Sequence, residues 1–285
     1  MRKVFFIFFF LSYIVASGFS AEGHTIRTTG LYTNYERFLR FTEQGRIISY
    51  TRVPDAQEAL TFTVDEGNYT ITLEYGVPYL TVKWDKYWGT ENKYLYLFYG
   101  EGEALYQTIL LYDGNAEPFF IGTHVNGILE TIFSDWGYGG DHRFTPGEFT
   151  ATSSLQDGTG VFSTNNLNLS IGKPWAEGVA GYGIGEKLTL CAGAFPLSQS
   201  NLYISIGFVS YSEPQLYEYN SRPAKIRLSH GDDSIIVDLL DTPHFQFIDL
   251  PYWHDGNLEI EILDVYPGTK WQDTCINSIL FSWSQ

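Results

Sequence analysis

Aromatic side chains are concentrated in three short segments of the C-terminal half, beside polar side chains that can each make several hydrogen bonds. A sugar ring presents an apolar C–H face, which lies well on an aromatic ring, and pairs of hydroxyls, which hydrogen-bond to planar polar groups. The aromatic residues that can serve as platforms are Trp175, Tyr217, Tyr219, Tyr266 and Trp271. This combination predicts carbohydrate binding.

Polar residues of the same segments can complete such a site without a metal or a cofactor. The guanidinium of Arg222 offers a fork of donors, whereas three carboxylates offer paired acceptors. The polar members of the predicted glycan-binding set are Glu177, Asn220, Arg222, Asp264, Lys270 and Asp273. The set includes no catalytic residue and no metal ligand.

Each of these residues also has a structural interpretation. Trp175 and Tyr266 can close the ends of a β-sandwich, and Arg222 can be clamped by Asp264 or Asp273 as a partly buried ion pair that fixes two loops. For any one residue taken singly the structural role is the commoner one. The set is therefore a hypothesis about a site.

Other kinds of chemistry have weaker support. The six histidines show no metal-ligand spacing, and the sequence contains no nucleophile elbow. The glycine-rich run from Gly181 to Gly185 is not surrounded by a strand-loop-helix unit, and Glu186 would repel a phosphate. The acidic loops permit a calcium ion without indicating one. We therefore expect no cofactor.

The three segments, taken in order, resemble a known family. They read KPWAEGVAGYGIGE (173–186), YEYNSRP (217–223) and DVYPGTKWQDTC (264–275). They are similar to the discoidin-like, galactose-binding-like domain first associated with the translocation domain of streptococcal NAD glycohydrolase. The resemblance covers residues 165–285 and implies a jelly roll that binds glycans. It implies no enzymatic activity, because the catalytic part of those proteins is a separate domain.

Two positions depart from that family's pattern. Ala224 stands before Lys225, where the family commonly has a lysine directly after the proline. Asn277 and Ser278 stand where the family often has Ser-Glu. The lost carboxylate removes one acceptor near the last strand, so the sugar specificity of the family is not transferred.

Alternating apolar and polar residues predict β-strands along most of the chain. Arg37–Thr42 and Arg46–Thr51 form a hairpin that turns at Gly45, and further strands are predicted at 59–64, 68–75, 78–84, 93–99 and 104–112. This antiparallel β-meander predicts a small barrel or sandwich. In Leu258–Ile262 the apolar residues share one face, as in a strand that covers a core. The predicted fold class is all-β, with a C-terminal jelly-roll β-sandwich.

The composition divides the chain into four segments. We predict a signal peptide at 1–21, a β-rich N-terminal domain of unknown role at 22–125, a loop-rich connector at 126–164 and the discoidin-like domain at 165–285. Arg2 and Lys3, followed by an apolar run that ends near Val15, are typical of a secretory signal. The run is too short to anchor the chain in a bilayer. We expect an exported protein, periplasmic or extracellular, without a membrane span after signal removal.

The net charge of −16 at pH 7 repels nucleic acid and anionic membrane surfaces. We expect the two cysteines, Cys191 and Cys275, to be buried thiols and not a disulfide, although the sequence leaves both states open. The dense aromatic residues of the N-terminal half either line a pocket or cover the contact with the second domain.

Three functions follow from these observations, in order of support. The first is a non-catalytic carbohydrate-binding protein whose partner is a glycan or glycoconjugate. The second is an interaction or adhesion module of the cell envelope, which docks on an envelope or host protein. The third is a hydrolase with a site in the N-terminal domain, for which Asp65 and Glu74 are the candidate carboxylates.

Overall fold

The computed structural model describes residues 26–34, 37–53, 62–86, 91–100, 107–115, 119–125, 145–146, 148–168, 171–190, 200–253 and 256–283, and the structural statements below concern these residues. They form mainly β-strands, together with a short α-helix and a 3-10 helix. The predicted all-β fold class is confirmed. The predicted signal peptide, much of the predicted connector and Cys191 lie outside the described residues.

Eight antiparallel strands of the N-terminal half form a closed barrel. They are β1 (Leu31–Thr33), β2 (Arg37–Phe41), β3 (Arg46–Arg52), β4 (Phe62–Glu74), β5 (Val77–Trp84), β6 (Asn92–Gly100), β7 (Gln107–Tyr112) and β8 (Phe120–Val125). Each strand pairs with the next along the chain, and β8 pairs with β1. Closure satisfies the backbone groups that an open sheet leaves unpaired at its edges. The meander is thus a barrel.

The longest barrel strand, β4, joins two segments that the sequence predicts as separate strands. The residues between them, from Asp65 to Gly67, continue the ladders to β3 and β5. A Cβ on Gly67 would lie 2.7 Å from the carbonyl oxygen of Lys83. Glycine is present here because two backbones approach closely, and not because the chain turns.

Strands β5 to β7 are apolar on both faces because two cores cover them. In β6, Tyr94, Tyr96 and Phe98 point into the barrel, whereas Leu95 and Leu97 point outward to the C-terminal half. Successive side chains of a strand alternate between its faces, so a continuous apolar run indicates burial on both sides. The aromatic residues of this region therefore belong partly to the barrel core and partly to a junction.

The C-terminal half is a sandwich of two antiparallel sheets. Its strands are β9 (Thr145–Pro146), β10 (Phe149–Ala151), β11 (Gln156–Asp157), β12 (Gly160–Val161), β13 (Trp175–Ala176), β14 (Lys187–Leu190), β15 (Ser200–Ile206), β16 (Arg222–His230), β17 (Asp233–Asp238), β18 (Gln246–Asp249), β19 (Leu258–Tyr266) and β20 (Cys275–Trp283). The 3-10 helix spans Thr164–Leu167, and helix α1 spans Gln215–Tyr219.

One sheet of the sandwich has the strand order β10-β14-β19-β16-β17, and the other has β13-β20-β15-β18, with β9 paired to β20. Strands β11 and β12 form a separate two-stranded sheet. The facing side chains of the two larger sheets form one core, in which Ile260 and Ile262 of β19 lie as the alternation predicts. Strand β10 falls within the predicted connector, yet Phe149 pairs with Leu190 and joins this core. The sandwich therefore includes a strand that precedes residue 165.

Barrel and sandwich share a third buried cluster at their junction. Its members are Val77, Tyr79, Leu95, Leu97 and Leu110 from the barrel, and Tyr203, Val209, Tyr217, Phe245 and Leu280 from the sandwich. The Phe245 N–H donates to the Phe98 carbonyl at 2.9 Å, and the Phe98 N–H donates to His244 Nδ1 at 3.2 Å. The Tyr79 hydroxyl donates to the Tyr211 carbonyl at 2.8 Å. The junction is thus both apolar and hydrogen-bonded.

Candidate functional site

The three aromatic and polar segments meet at one end of the sandwich. Ser221 and Thr274 form a parallel bridge between the second and third segments. The Ser221 N–H donates to the Asp273 carbonyl at 3.0 Å, and the Glu177 N–H donates to the Thr274 carbonyl at 3.2 Å. The structure therefore brings together segments that lie far apart in the sequence. Their individual side chains divide into a buried group and an accessible group.

The guanidinium of Arg222 makes structural contacts within the protein. Its Nε and one terminal nitrogen donate to the two carboxylate oxygens of Asp241, both at 2.6 Å. The other terminal nitrogen lies 3.2 Å from the carbonyl oxygens of Tyr217 and Asn220. The guanidinium also lies 4.8 Å from the centroid of the Tyr217 ring. The clamp foreseen for Arg222 exists, but its partner is Asp241 and not Asp264 or Asp273.

Trp175 and Glu177 are fully buried. The Trp175 indole N–H donates to the Ser153 carbonyl at 3.2 Å. One carboxylate oxygen of Glu177 accepts the Val179 N–H at 2.8 Å and the other accepts the Thr274 N–H at 3.2 Å. Burial raises the pKa of Glu177, because desolvation of the carboxylate outweighs the two N–H groups that stabilise its charge.

Three further members of the predicted set are tied to the protein itself. The Tyr217 hydroxyl donates to Asp241 at 3.0 Å, and the Asn220 amide donates to the Leu216 carbonyl at 2.9 Å. The Tyr266 hydroxyl donates to the Leu239 carbonyl at 2.8 Å. These contacts fix helix α1 and the ends of β16 and β19, so the residues shape the loops that surround them.

An exposed aromatic platform remains, which we define as Tyr219, Lys270 and Trp271. The two rings meet edge to face, with centroids 5.6 Å apart and an interplanar angle of 77°. Lys270 Nζ lies 4.1 Å from the Trp271 centroid and 5.2 Å from the Tyr219 centroid. Trp271 keeps 36% of its surface exposed. The platform thus presents aromatic surface and a cation to the solvent.

Backbone contacts hold the platform on the end of helix α1. The Thr269 N–H donates to the Glu218 carbonyl, and the Trp271 N–H donates to the Tyr219 carbonyl, at 2.9 and 2.8 Å. A Cβ on Gly268 would lie 2.4 Å from the Trp271 and Tyr219 carbonyl oxygens, so the loop packs too closely for another residue. Aromatic groups held by main-chain contacts lose little conformational freedom when a ligand binds.

The sequence of this region matches a known domain model. Residues 142–282 match the family described as the NAD glycohydrolase translocation F5/8 type C domain. The C-terminal half belongs to this family. The resemblance noted in the sequence is therefore confirmed, and an F5/8 type C domain is a carbohydrate-binding or translocation module. The family description names a translocation domain and no catalytic one.

Solved structures give a more distant likeness. This chain resembles a cryo-EM structure of the arabinofuranosyltransferase AftD from Mycobacteria, at 13% identity and a TM-score of 0.38. Two particle classes of a mutant of that protein give TM-scores of 0.38 and 0.36, at 13% and 12% identity. In each case half of this chain is aligned, and it spans 11% of the AftD chain. No curated protein sequence matches this chain.

The remaining predicted residues of the F5/8 type C domain lie beside the platform or away from it. Asp264 is exposed on β19, opposite Lys225 of β16, and its carboxylate accepts the N–H of Val265. Asp273 is half-buried, and its negative charge contributes to raising the pKa values of Glu177 and of the buried Cys275 thiol, for both of which desolvation is the larger cause. Cys275 is a free thiol.

Asp241 is the structural residue of the F5/8 type C domain that the sequence does not reveal. It lies in an Asp-Thr-Pro run that is typical of a loop with a solvated charge. Nineteen positions separate it from Arg222, and no spacing rule links a strand residue to a loop carboxylate at that distance. The only available signal was chemical, because a buried arginine requires a carboxylate partner.

The barrel does not bring together the carboxylates considered for hydrolysis. Asp65 and Glu74 lie nine positions apart on the single strand β4, which corresponds to about 30 Å. A glycosidase pair is separated by roughly 5 to 9.5 Å. Asp65 accepts the Lys86 N–H, and Glu74 forms an ion pair with Lys93. This pair is therefore wrong as a catalytic assignment.

Within the described ranges, no three His, Cys, Asp or Glu side chains converge as metal ligands would. None of the helices described there has the length and apolar character needed to cross a bilayer.

Proposed function

We propose that this protein binds carbohydrate without catalysis, through the aromatic platform of its F5/8 type C domain. The exposure of Trp271 beside Tyr219 and Lys270 carries the proposal, because most other aromatic residues of the predicted set are buried. The apolar face of a sugar ring would stack on the accessible indole surface, and Lys270 would donate to its hydroxyls or to a carboxylate. Binding of this kind is weak and depends on shape.

A glycan-array screen of the full chain tests the proposal, followed by titration of the best ligand. Trp271→Ala should weaken binding roughly tenfold, because it removes the stacking surface. Tyr252→Ala is the matched control, since Tyr252 is an exposed aromatic residue of the same domain that lies outside the platform. Equal binding by wild type and Trp271→Ala would remove the platform from the site. Failure of the wild type to bind any sugar would reject carbohydrate binding.

Docking on an envelope or host protein is the second candidate. It is favoured by Val179 and Ile184, which are exposed apolar residues of the loop that adjoins Thr274. Such residues form the centre of protein interfaces when a partner covers them. Ile184→Asp would then abolish partner binding while sugar binding persists, and free sugars would not compete with the partner.

We also propose that the chain is exported to the periplasm or the exterior. The support is the basic start and apolar run within residues 1–21. Fractionation of cells that express the full chain, with N-terminal sequencing of the exported product, tests this. A cytoplasmic product that keeps Arg2 and Lys3 would contradict it.

A further inference from the structure

A small cleft opens where the barrel meets the sandwich. Its volume is about 190 Å³. The barrel contributes Tyr112, and the sandwich contributes Phe208, Ser210, Tyr211, Ser212 and Glu213. Junctions between domains are common places for ligand sites, because both sides supply side chains to a concave surface. This junction cleft is separate in sequence from the aromatic platform.

The walls of the junction cleft are held by contacts from both domains. The Tyr211 hydroxyl donates to the Lys93 carbonyl at 3.0 Å. The Tyr211 ring meets Tyr112 edge to face, with centroids 5.9 Å apart and an interplanar angle of 81°. A Cβ on Gly114 would lie 2.8 Å from the Tyr211 ring. The barrel loop thus fits closely against this ring, and the cleft is formed before any ligand binds.

The junction cleft combines aromatic walls with negative charge. Glu213 lies in its lining, and the lining includes no lysine or arginine among the described residues. Asp113 adjoins it, and the pKa values of Tyr112 and Tyr211 are raised, mainly by burial and in addition by the charge of Asp113. The whole chain carries a net charge of −16. These features repel anions and favour a cation.

We propose that the junction cleft binds a small organic cation, an alkyl or quaternary ammonium group. Such a group is attracted by the faces of aromatic rings and by a nearby carboxylate at the same time. Tyr112, Phe208 and Tyr211 line the cleft, whose volume suits a small head group, and Glu213 supplies the carboxylate. This site is independent of carbohydrate binding by the platform.

The proposal is tested by titrating the full chain with choline. Tyrosine and tryptophan fluorescence and calorimetry measure the binding. The neutral isostere 3,3-dimethylbutan-1-ol is the matched ligand control, because it has the same shape without the charge. We expect choline to bind about tenfold more tightly than the isostere. Glu213→Gln should weaken choline binding several-fold. Glu218→Gln, a change of the same type outside the cleft, should leave it unaltered.

Phe208→Leu provides a second variant that keeps an apolar side chain and removes one ring, and it should also weaken binding. Circular dichroism of each variant checks that it is folded. No saturable choline binding, equal affinity for choline and its isostere, or an unchanged affinity in folded Glu213→Gln and Phe208→Leu would overturn the proposal. Binding of a methyl glycoside that is weakened in folded Glu213→Gln and Phe208→Leu, and unchanged in Trp271→Ala, would assign the cleft to sugars instead.

Discussion

The barrel and the sandwich fill their cores with different side chains. The barrel core contains Tyr32, Trp84, Tyr94 and Phe120 among its buried members, whereas the sandwich core consists mostly of leucine and isoleucine. In the sandwich, Tyr219 at the end of helix α1 and Trp271 in the loop after β19 lie outside that core. A high density of aromatic residues therefore indicates packing in one half and a candidate surface in the other. Only the position relative to a core distinguishes the two.

Each half also buries a titratable group, and the two groups respond to burial in opposite ways. In the barrel, burial lowers the pKa of His124. In the sandwich, burial raises the pKa of Glu177. In both cases desolvation opposes the charged form, which is the cation for histidine and the anion for glutamate. The two halves should therefore differ in how their stability depends on pH.

The largest effect is expected at the arginine clamp of the sandwich. Arg222→Ala removes a guanidinium that satisfies Asp241 and two carbonyl groups, and it should lower the free energy of unfolding by about 3 kcal/mol. Urea denaturation measures this. Arg222→Lys keeps the charge without the fork and should recover only part of the loss.

Asp241→Asn serves as the reciprocal control, because it leaves the arginine buried without its counter-charge. If Arg222→Ala costs less than a typical surface substitution, then the clamp is not structural and Arg222 becomes available again as a ligand-binding residue. In that case the contrast between buried and accessible members of the predicted set would fail.

A smaller effect is expected where barrel and sandwich meet. Tyr79→Phe keeps the ring in the junction cluster and removes its hydrogen bonds to the Tyr211 and Ser210 carbonyls. The free energy of unfolding should fall by about 1 kcal/mol. Tyr69→Phe, a matched change at a hydroxyl that donates within the barrel at 3.3 Å, should cost less. Equal losses would mean that the Tyr79 hydroxyl stabilises the junction no more than the Tyr69 hydroxyl stabilises the barrel.

Sequence reasoning predicted most of the fold because the alternation of side chains follows directly from strand geometry. The hairpin at Gly45 appears as β2 and β3, and the C-terminal alternation appears as β19 and β20. The errors arose where one residue type serves two purposes. Gly67 permits a close backbone approach, although glycine usually signals a turn. Helix α1 is too short, at five residues, to show a helical period.

The candidate site was predicted less well than the fold. The three segments do meet, but Trp175, Glu177, Tyr217 and Arg222 are buried there. Aromatic and charged residues that define the corners of a fold have the same composition as a binding surface, so sequence alone does not separate them. Accessibility depends on loops that pack on one another through backbone contacts, as the loop around Gly268 packs on α1. Backbone contacts of this kind leave almost no trace in residue types.

The smallest effect, and the sharpest comparison of the two halves, is in the pH dependence of stability. Because the folded pKa of Glu177 is raised above 4.5, the folded state holds a proton that the unfolded state has lost at pH values between the two. The free energy of unfolding therefore falls as the pH rises through that interval. Glu177→Gln should remove this fall.

His124 should act in the opposite sense. The hydrogen-bond geometry assigns the neutral form, in which Nε2–H donates to the Thr29 carbonyl at 2.5 Å and Nδ1 accepts from Arg27 at 3.3 Å. A folded pKa below 6.5 means that the unfolded state binds the proton first as the pH falls. The free energy of unfolding therefore falls as the pH drops below 6.5, and His124→Gln should remove that fall.

Urea denaturation of the wild type and both variants at several pH values between about 4 and 8 measures the two effects together, since that range contains both ordinary pKa values. The difference between wild type and Glu177→Gln should have the opposite slope with pH to the difference between wild type and His124→Gln. Slopes of the same sign would show that hydrogen bonds to the charged form, and not burial, control one of the two groups. For Glu177 the opposing influence is the pair of N–H groups of Val179 and Thr274, so reversal there would mean that hydrogen bonding outweighs desolvation in the sandwich.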